Sequence, residues 1–223
     1  MSILILGDGL LGSELEKQTG WDLISRRRNN FNLVFFESYI DSKYTTIINC
    51  IANTDSYSEN KEEHMKVNYE FPKRLSDYCI KKNIKLIHIS TEFVYANNIV
   101  PPTELEREIP DDTWYAKSKL LADNYINLTN RNSLICRESH KPYPFPYNEV
   151  WRIQTSGDTV DKISSILIHL IKKDAVGIYN VGTGSKWLWE IAPKSKVVDP
   201  PPYVPKDTRM NLNKLNNFLN NKL

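Results

Sequence analysis

The sequence has few of the features that mark secreted, membrane or nucleic-acid-binding proteins. Its three cysteines, Cys50, Cys79 and Cys136, are far apart in apolar stretches, so we expect reduced core residues rather than disulfides or a metal site. No apolar run approaches the roughly 18 residues of a membrane span, and the chain opens on a strand pattern instead of a signal peptide. A net charge of +2 leaves no basic face for nucleic acid. These absences predict a soluble, cytoplasmic protein with neither a membrane nor a nucleic-acid partner.

Short apolar runs alternate along the chain with longer amphipathic segments. The runs predict buried strands at residues 2–6, 21–25, 45–52, 85–90, 133–137 and 178–181. The other segments predict helices at residues 10–18, 37–43, 59–82, 115–128 and 160–172, and a helical C-terminal tail. In the third helix, Pro72 predicts a bend because proline interrupts the hydrogen-bond ladder. The alternation predicts an α/β fold with a doubly wound parallel sheet covered on both faces.

A glycine-rich turn follows the first predicted strand directly. Residues 7–12 read Gly-Asp-Gly-Leu-Leu-Gly, a G-x-G-x-x-G pattern that opens the first predicted helix. Such glycines permit a tight turn and let the backbone approach a pyrophosphate, whose charge is stabilised by free N–H groups of the helix. The turn therefore predicts a dinucleotide cofactor and a Rossmann-type domain over residues 1–140.

The end of the second predicted strand indicates which dinucleotide binds. An Asp or Glu at this point would accept a hydrogen bond from the ribose 2′-hydroxyl of NAD. Residues 25–28 instead read Ser-Arg-Arg-Arg, a positive cluster that suits the 2′-phosphate of NADP. We therefore expect NADP(H), and the alternative is a solvated basic turn without function.

A tyrosine and a lysine four residues apart indicate a second functional region. Tyr115 and Lys119 fall on one face of the predicted helix. An ammonium beside a phenol favours the phenolate, so the phenol can exchange a proton near neutral pH. Thr91 follows a buried strand, at the sheet edge where open α/β sheets bind ligands. The pattern predicts Tyr115 as a general acid and Thr91 as a hydrogen-bonding group on the same substrate oxygen; the alternative for the Tyr–Lys pair is a surface contact.

The order of these motifs resembles the extended short-chain dehydrogenase/reductases, and within them the dTDP-4-dehydrorhamnose reductases, which are nucleotide-sugar 4-ketoreductases. Residues 48–53 resemble the family's Asn-Ala-Ala strand end, and residues 88–95 resemble its Ser-Thr-Asp-Tyr-Val-Phe segment. Residues 102–119 resemble its Pro-x-x-Glu…Tyr-Gly-x-Ser-Lys stretch, and residues 178–185 resemble a C-terminal family segment. The chain is shorter than typical members between residues 137 and 156. The resemblance therefore implies that residues 141–223 form a reduced substrate lobe interleaved with the sheet.

The resemblance implies an NADP-dependent reductase of a dTDP- or UDP-linked 4-keto-6-deoxy sugar in deoxysugar biosynthesis. Thr91, Tyr115 and Lys119 would be catalytic, with Tyr115 protonating the alkoxide that forms when hydride reaches the keto carbon. The expected cofactor-binding residues are Gly7, Gly9, Leu10, Leu11, Gly12, Arg26, Arg27, Cys50, Ile51, Ala52, Asn68, Tyr115 and Lys119. The expected substrate-binding residues are Thr91, Glu92, Phe93, Arg137, His140 and Trp151.

Some of these residues, and the function itself, allow a second interpretation. Arg137 either contacts substrate or pairs with a carboxylate. His140 either serves a substrate phosphate or an accompanying epimerisation, or is a surface residue. Trp151 either stacks on a base or packs the lobe. The competing functions are a nucleotide-sugar epimerase or dehydratase that retains NAD, and a non-catalytic NADP-binding regulatory subunit. The expected partner is a nucleotide-sugar substrate, and a homodimer is left open.

Overall fold

A computed structural model describes residues 2–98 and 101–220 of the chain. The described strands are β1 (Ile3–Leu6), β2 (Asp22–Ile24), β3 (Thr46–Asn49), β4 (Lys85–Thr91), β5 (Ser133–Glu138), β6 (His140–Lys141), β7 (Glu149–Trp151), β8 (Gln154–Thr155), β9 (Asp158–Thr159), β10 (Gly177–Asn180), β11 (Lys186–Trp187), β12 (Lys196–Val198) and β13 (Asp207–Thr208). The described α-helices are α1 (Leu10–Thr19), α2 (Arg26–Asn29), α3 (Lys61–His64), α4 (Phe71–Lys82), α5 (Trp114–Thr129), α6 (Val160–Lys172) and α7 (Asn213–Asn220).

Six parallel strands form the central sheet in the order β2-β1-β3-β4-β5-β10. The chain leaves β1 toward β2 on one side and then crosses to β3 on the other side, so the winding direction reverses at β1. In open α/β sheets, ligands bind in the crevice outside the carboxyl ends of the strands at such a reversal. The predicted Rossmann-type α/β fold is confirmed, and its topology predicts a ligand crevice at the ends of β1 and β3.

Both faces of the central sheet are covered, because successive side chains of a strand point in opposite directions. Ile3 and Ile5 of β1 belong to the apolar core formed with α1, α6 and α7. Leu4 and Leu6 of the same strand belong to the core formed with α4 and α5. All four side chains are buried, which explains why β1 is an uninterrupted apolar run in the sequence.

The predicted helix at 59–82 begins at Lys61. A π-helical segment interrupts it, whereas the sequence predicted a bend at Pro72. The side chain of Asn60 caps its first turn by accepting a hydrogen bond from the Glu63 backbone N–H at 3.1 Å. A π-helical segment, Met65–Glu70, then joins α3 to α4. Pro72 has no N–H to donate to the carbonyl four residues earlier, and the wider π turn accommodates that gap directly before it.

Other boundaries differ only locally from the predicted ones. The predicted helix at 37–43 is a short 3₁₀ turn, Phe36–Tyr39, and a second 3₁₀ turn, Glu92–Tyr95, follows β4. Cys79 and Cys136 are buried and the cysteines are free, whereas Cys50 is only half-buried at the end of β3. None of the described helices is long and apolar enough to cross a membrane.

The C-terminal part of the chain both completes the central sheet and builds smaller sheets. α6 covers one face of the central sheet, and β10 adds its edge strand beside β5. The short strands pair as β11-β8-β13, β7-β12 and β6-β9. A separate small core beside the β7-β12 pair contains Val150, Ile153, Leu188 and Ala192.

The glycine turn lets α1 approach β1 closely. Gly7 has a positive φ of 100°, a conformation that side-chain-bearing residues rarely adopt. A Cβ atom on Gly12 would lie 2.0 Å from the carbonyl oxygen of Gly7. Gly9 has an ordinary φ of −65°, and no described atom lies within 4 Å of the position of its Cβ. Gly7 and Gly12 are therefore required for packing, whereas Gly9 faces open space.

We expect Gly12→Ala to destabilise the fold because its methyl group would collide with backbone. The loss should reach at least the upper end of the roughly 1–3 kcal/mol that overpacking costs. Gly9→Ala is the matched control, and its unfolding free energy should change by less than about 0.5 kcal/mol. Urea unfolding followed by circular dichroism measures both values. Equal stability of the two variants would contradict the close contact at Gly12.

Candidate active site

A cleft of about 1260 Å³ runs along the carboxyl ends of β1, β3, β4 and β5. It lies where the strand order predicts a ligand crevice. The segments that line it include residues 7–12, 25–27, 30–34, 50–54, 89–93 and 138–141, together with Tyr115 and Lys119. The cleft therefore brings together the glycine turn and the Tyr–Lys pair, which are about one hundred residues apart in the sequence.

The glycine turn forms one end of the cleft. No side chain of the described residues caps the N-terminus of α1, and the first N–H groups of a helix have no partner within the helix. Gly9, Leu10 and Leu11 line the cleft at this helix end. Because a Cβ on Gly9 would project into open space, the turn leaves room for a group to approach the backbone. These features fit the pyrophosphate of a dinucleotide.

The arginine cluster after β2 divides into one unpaired and two paired side chains. Arg27 donates to the Asp8 carboxylate at 3.0 Å, and Arg28 pairs with Glu16 at 2.7 Å. Arg26 lines the cleft and is exposed, and its side chain has no hydrogen-bond or ion-pair partner within residues 2–98 and 101–220. Arg26 is therefore the member of the cluster whose charge is available to a bound phosphate. Arg27, which also lines the cleft, holds the glycine turn.

The loop after β3 forms the floor of the cleft. Cys50, Ile51 and Ala52 line it as expected for cofactor-binding residues. Asn68 lies behind this loop and is fully buried. Its side chain accepts from the Asn53 N–H at 2.8 Å and donates to the Asn53 carbonyl at 3.0 Å. Asn68 thus positions the loop rather than lining the cleft.

The Tyr–Lys pair enters the cleft from the first turns of α5. Thr113 caps this helix by accepting from the Ala116 N–H at 3.2 Å, which fixes where the helix begins. Tyr115 packs edge-on against Phe93, with ring centroids 5.8 Å apart. Burial raises the pKa of the Tyr115 phenol, and interaction with the Thr91 hydroxyl lowers it. The net direction is upward, so this phenol holds its proton at neutral pH.

Lys119 lines the cleft, and its amine contacts strand β4 beneath the cleft floor. Its Nζ donates to the Ile89 carbonyl at 2.5 Å and lies 3.4 Å from Nε2 of His88. Burial lowers the pKa of Lys119 to about 8, and burial also holds the pKa of His88 well below its ordinary value. We expected the Lys119 ammonium to favour the phenolate of Tyr115, but the pKa of this phenol is raised, with burial as the largest cause. The amine of Lys119 is hydrogen-bonded to the Ile89 carbonyl of β4.

The other end of the cleft is rich in ionisable side chains. Thr91 ends β4, and its Oγ1 accepts from the Phe93 N–H at 3.2 Å while donating to Glu92 at 3.2 Å. Burial raises the pKa of Glu92, although nearby Lys141 opposes the shift. His140 lines the cleft here, so Thr91, Glu92, Phe93 and His140 are brought together as the sequence suggested.

Arg137 and Trp151 are not brought to the cleft. Arg137 has no exposed surface, and its donors bind Asp123 at 2.9 Å, Glu108 at 2.7 Å and the hydroxyl of Tyr95. Of the two interpretations of Arg137, the structure therefore favours pairing with carboxylates. Trp151 lies on β7 beside the small C-terminal core and does not line the cleft.

Glu138 lines the cleft and was not singled out in the sequence. It follows Arg137 at the end of β5 and stands in register with Thr91 of β4. The rule that identified Thr91, a polar side chain at the carboxyl end of a buried strand, also applies to Glu138. The described residues contain no group of three His, Cys, Asp or Glu side chains that could hold a metal ion.

The family of the chain follows from a family model. The model described as the RmlD substrate binding domain matches residues 1–140. The chain belongs to this family. The resemblance to the dTDP-4-dehydrorhamnose reductases inferred from the sequence is thereby confirmed.

Solved structures share the fold of this chain, and one curated relative matches part of it in sequence. The dTDP-4-dehydrorhamnose reductase of Bacillus anthracis str. Ames, in complex with NADP, is 19% identical with a TM-score of 0.81, and the match covers 99% of this chain and 93% of that chain. A hypothetical dTDP-4-dehydrorhamnose reductase from Sulfolobus tokodaii is 22% identical with a TM-score of 0.83, over 99% and 95% of the two chains. ADP-L-glycero-D-manno-heptose-6-epimerase of Brachyspira hyodysenteriae is 31% identical over 101 residues, which are 45% of this chain and 32% of that protein. The chain thus matches about one third of the length of that curated relative.

We expect Arg137→Met to destabilise the protein strongly, because it leaves the buried Asp123 carboxylate without its cation. Removing one partner of a buried ion pair costs about 3–5 kcal/mol. Arg152→Met is the matched control, since Arg152 pairs with Asp199 on the surface and such pairs contribute less than about 1 kcal/mol. Urea unfolding measures both variants. A loss at Arg137 no larger than at Arg152 would show that the buried pair does not hold the fold.

Proposed function

We propose that this protein is an NADP(H)-dependent reductase of a nucleotide-linked 4-keto-6-deoxy sugar, dTDP- or UDP-linked. The observation that carries the proposal is the convergence of Thr91, Tyr115 and Lys119 in the cleft that begins at the glycine turn. Membership of the RmlD family and the likeness to a reductase that binds NADP support it. The proposal places the protein in deoxysugar biosynthesis in the cytoplasm.

The end of the cleft at the glycine turn would hold the cofactor. Gly9 and the N-terminus of α1 would bind the pyrophosphate through backbone N–H groups, because no side chain fills that space. Arg26 would bind the 2′-phosphate with its unpaired guanidinium, which favours NADP over NAD. Lys119 would bind the ribose next to the nicotinamide.

The side chains at the other end of the cleft would donate a proton to the substrate oxygen during reduction. When bound, the nicotinamide supplies the hydride that reduces the keto carbon. Tyr115 then donates the proton from its phenol oxygen to the developing alkoxide, and the raised pKa of this phenol keeps the proton available at neutral pH. Thr91, which interacts with the same phenol, would donate a hydrogen bond to the substrate oxygen and orient it.

We expect Arg26→Ala to weaken NADPH binding at least about tenfold, because a hydrogen bond to a charged group contributes roughly 1.5–3 kcal/mol. The affinity for NADH should stay the same, since NADH has no 2′-phosphate. Arg28→Ala is the matched control because Arg28 does not line the cleft and pairs with Glu16 at 2.7 Å and, more distantly, with Asp8 at 3.9 Å. Fluorescence titration of both cofactors gives the dissociation constants. Equal weakening of NADPH and NADH binding would contradict the assignment of Arg26.

We expect Tyr115→Phe to lower kcat for NADPH oxidation with a dTDP-linked 4-keto-6-deoxyhexose by about 10²–10⁴-fold, because it removes the proton donor. The dissociation constant of NADPH should change little, since the ring and its packing against Phe93 remain. Tyr147→Phe, at an exposed tyrosine outside the cleft, is the control. Retained turnover in Tyr115→Phe would overturn the assignment of the general acid.

A further inference from the structure

A carboxylate and an imidazole form a hydrogen-bonded pair at the substrate end of the cleft. Nδ1 of His140 lies 3.0 Å from both carboxylate oxygens of Glu138. Glu138 is buried at the end of β5, and the His140 side chain keeps 24% of its surface exposed. Both residues line the cleft. The carboxylate of the pair is therefore buried, and its imidazole is partly exposed in the cleft.

The contact with Glu138 uses only one of the two ring nitrogens of His140. A carboxylate at Nδ1 holds the proton on that nitrogen, so Nε2 carries the lone pair of the neutral ring. Nε2 of His140 has no hydrogen-bond partner in the described part of the chain. A carboxylate that orients an imidazole with a free second nitrogen is an arrangement that general acid–base catalysis uses.

The charges around the pair suit proton exchange. Burial acts against protonation of His140, but the Glu138 carboxylate outweighs it and raises the imidazole pKa. Lys141 opposes this shift, and the Glu92 carboxylate reinforces it. The site thereby contains a second proton-exchanging group besides the Tyr115 phenol. Reduction of a ketone needs only one proton on oxygen, which Tyr115 supplies, so the pair is available for another step.

We propose that Glu138 and His140 form a second acid–base centre that exchanges the proton on a carbon adjacent to the keto group of the substrate. The inference rests on the proposed function, because it takes the same nucleotide-linked keto sugar as substrate. Nothing in the reduction itself requires this pair.

The step balances without an oxidant or reductant. Nε2 of the neutral His140 takes the proton from the adjacent carbon, and the electrons of the broken C–H bond form a carbon–carbon double bond. The carbonyl π electrons move to the oxygen, and the resulting enolate oxygen accepts hydrogen bonds from Tyr115 and Thr91. Glu138 stabilises the imidazolium that forms. Return of the proton from Nε2 to carbon restores the ketone.

The test separates proton exchange from reduction. The wild-type protein is incubated in D₂O with NADP⁺, which cannot donate hydride, and with a dTDP-linked 4-keto-6-deoxyhexose. We expect deuterium to enter the carbon next to the keto group, detected by NMR and mass spectrometry, faster than without enzyme. Reduction of the same substrate by NADPH is measured separately. Reduction without deuterium incorporation would overturn this inference alone, and absence of reduction would overturn the proposed function.

Variants assign the exchange to the pair. His140→Asn should slow deuterium incorporation at least about 100-fold, the lower end of the contribution of general acid–base catalysis. Glu138→Gln, which keeps the shape of the side chain, should slow it at least about tenfold. His169→Asn, on the exposed surface of α6, is the matched control and should exchange at the wild-type rate. NADPH binding by each variant establishes that the cleft is intact. Wild-type exchange in either His140→Asn or Glu138→Gln would overturn the inference.

Discussion

The buried ion pair between Arg137 and Asp123 holds α5 against the ends of β4 and β5. Neither side chain has any exposed surface, and Ser90 of β4 donates to the same Asp123 oxygen at 2.9 Å. Charges removed from water are stabilised only when their partners are in place, so this contact keeps Asp123 of α5 beside Arg137 of β5 and Ser90 of β4. That position brings Tyr115, two turns before Asp123, and Lys119, one turn before it, to the cleft.

The alternation of side chains along β4 explains how an apolar strand supports polar chemistry. Ile87 and Ile89 point into the core shared with α1 and α6. His88 and Ser90 point to the opposite face, where they meet Lys119 and Asp123 of α5. One strand thus contributes to the hydrophobic core and to the polar layer beneath the cleft. Its last residue, Thr91, is then placed beside the phenol.

Features set by local pattern could be predicted from the sequence, and features set by remote partners could not. The apolar runs located the strands of the central sheet, and the glycine turn located one end of the cleft. The environment of Arg137 depends on Glu108 and Asp123, which lie on a loop and a helix whose placement no local pattern specifies. Glu138 ends β5 and His140 begins β6, and the apolar pattern of the sequence does not mark this boundary between two strands. The roles of the site residues stay predictions until variants are measured.

The edge strand β10 and the covering helix α6 come from beyond residue 140, where the family model ends. Leu167 and Leu170 of α6 belong to the same buried core as Ile5 of β1 and Leu134 of β5. A fragment truncated at residue 140 would expose this apolar surface and leave the hydrogen-bonding edge of β5 unpaired. The segment that the family model matches therefore lacks the edge strand and one covering helix of the sheet to which it contributes.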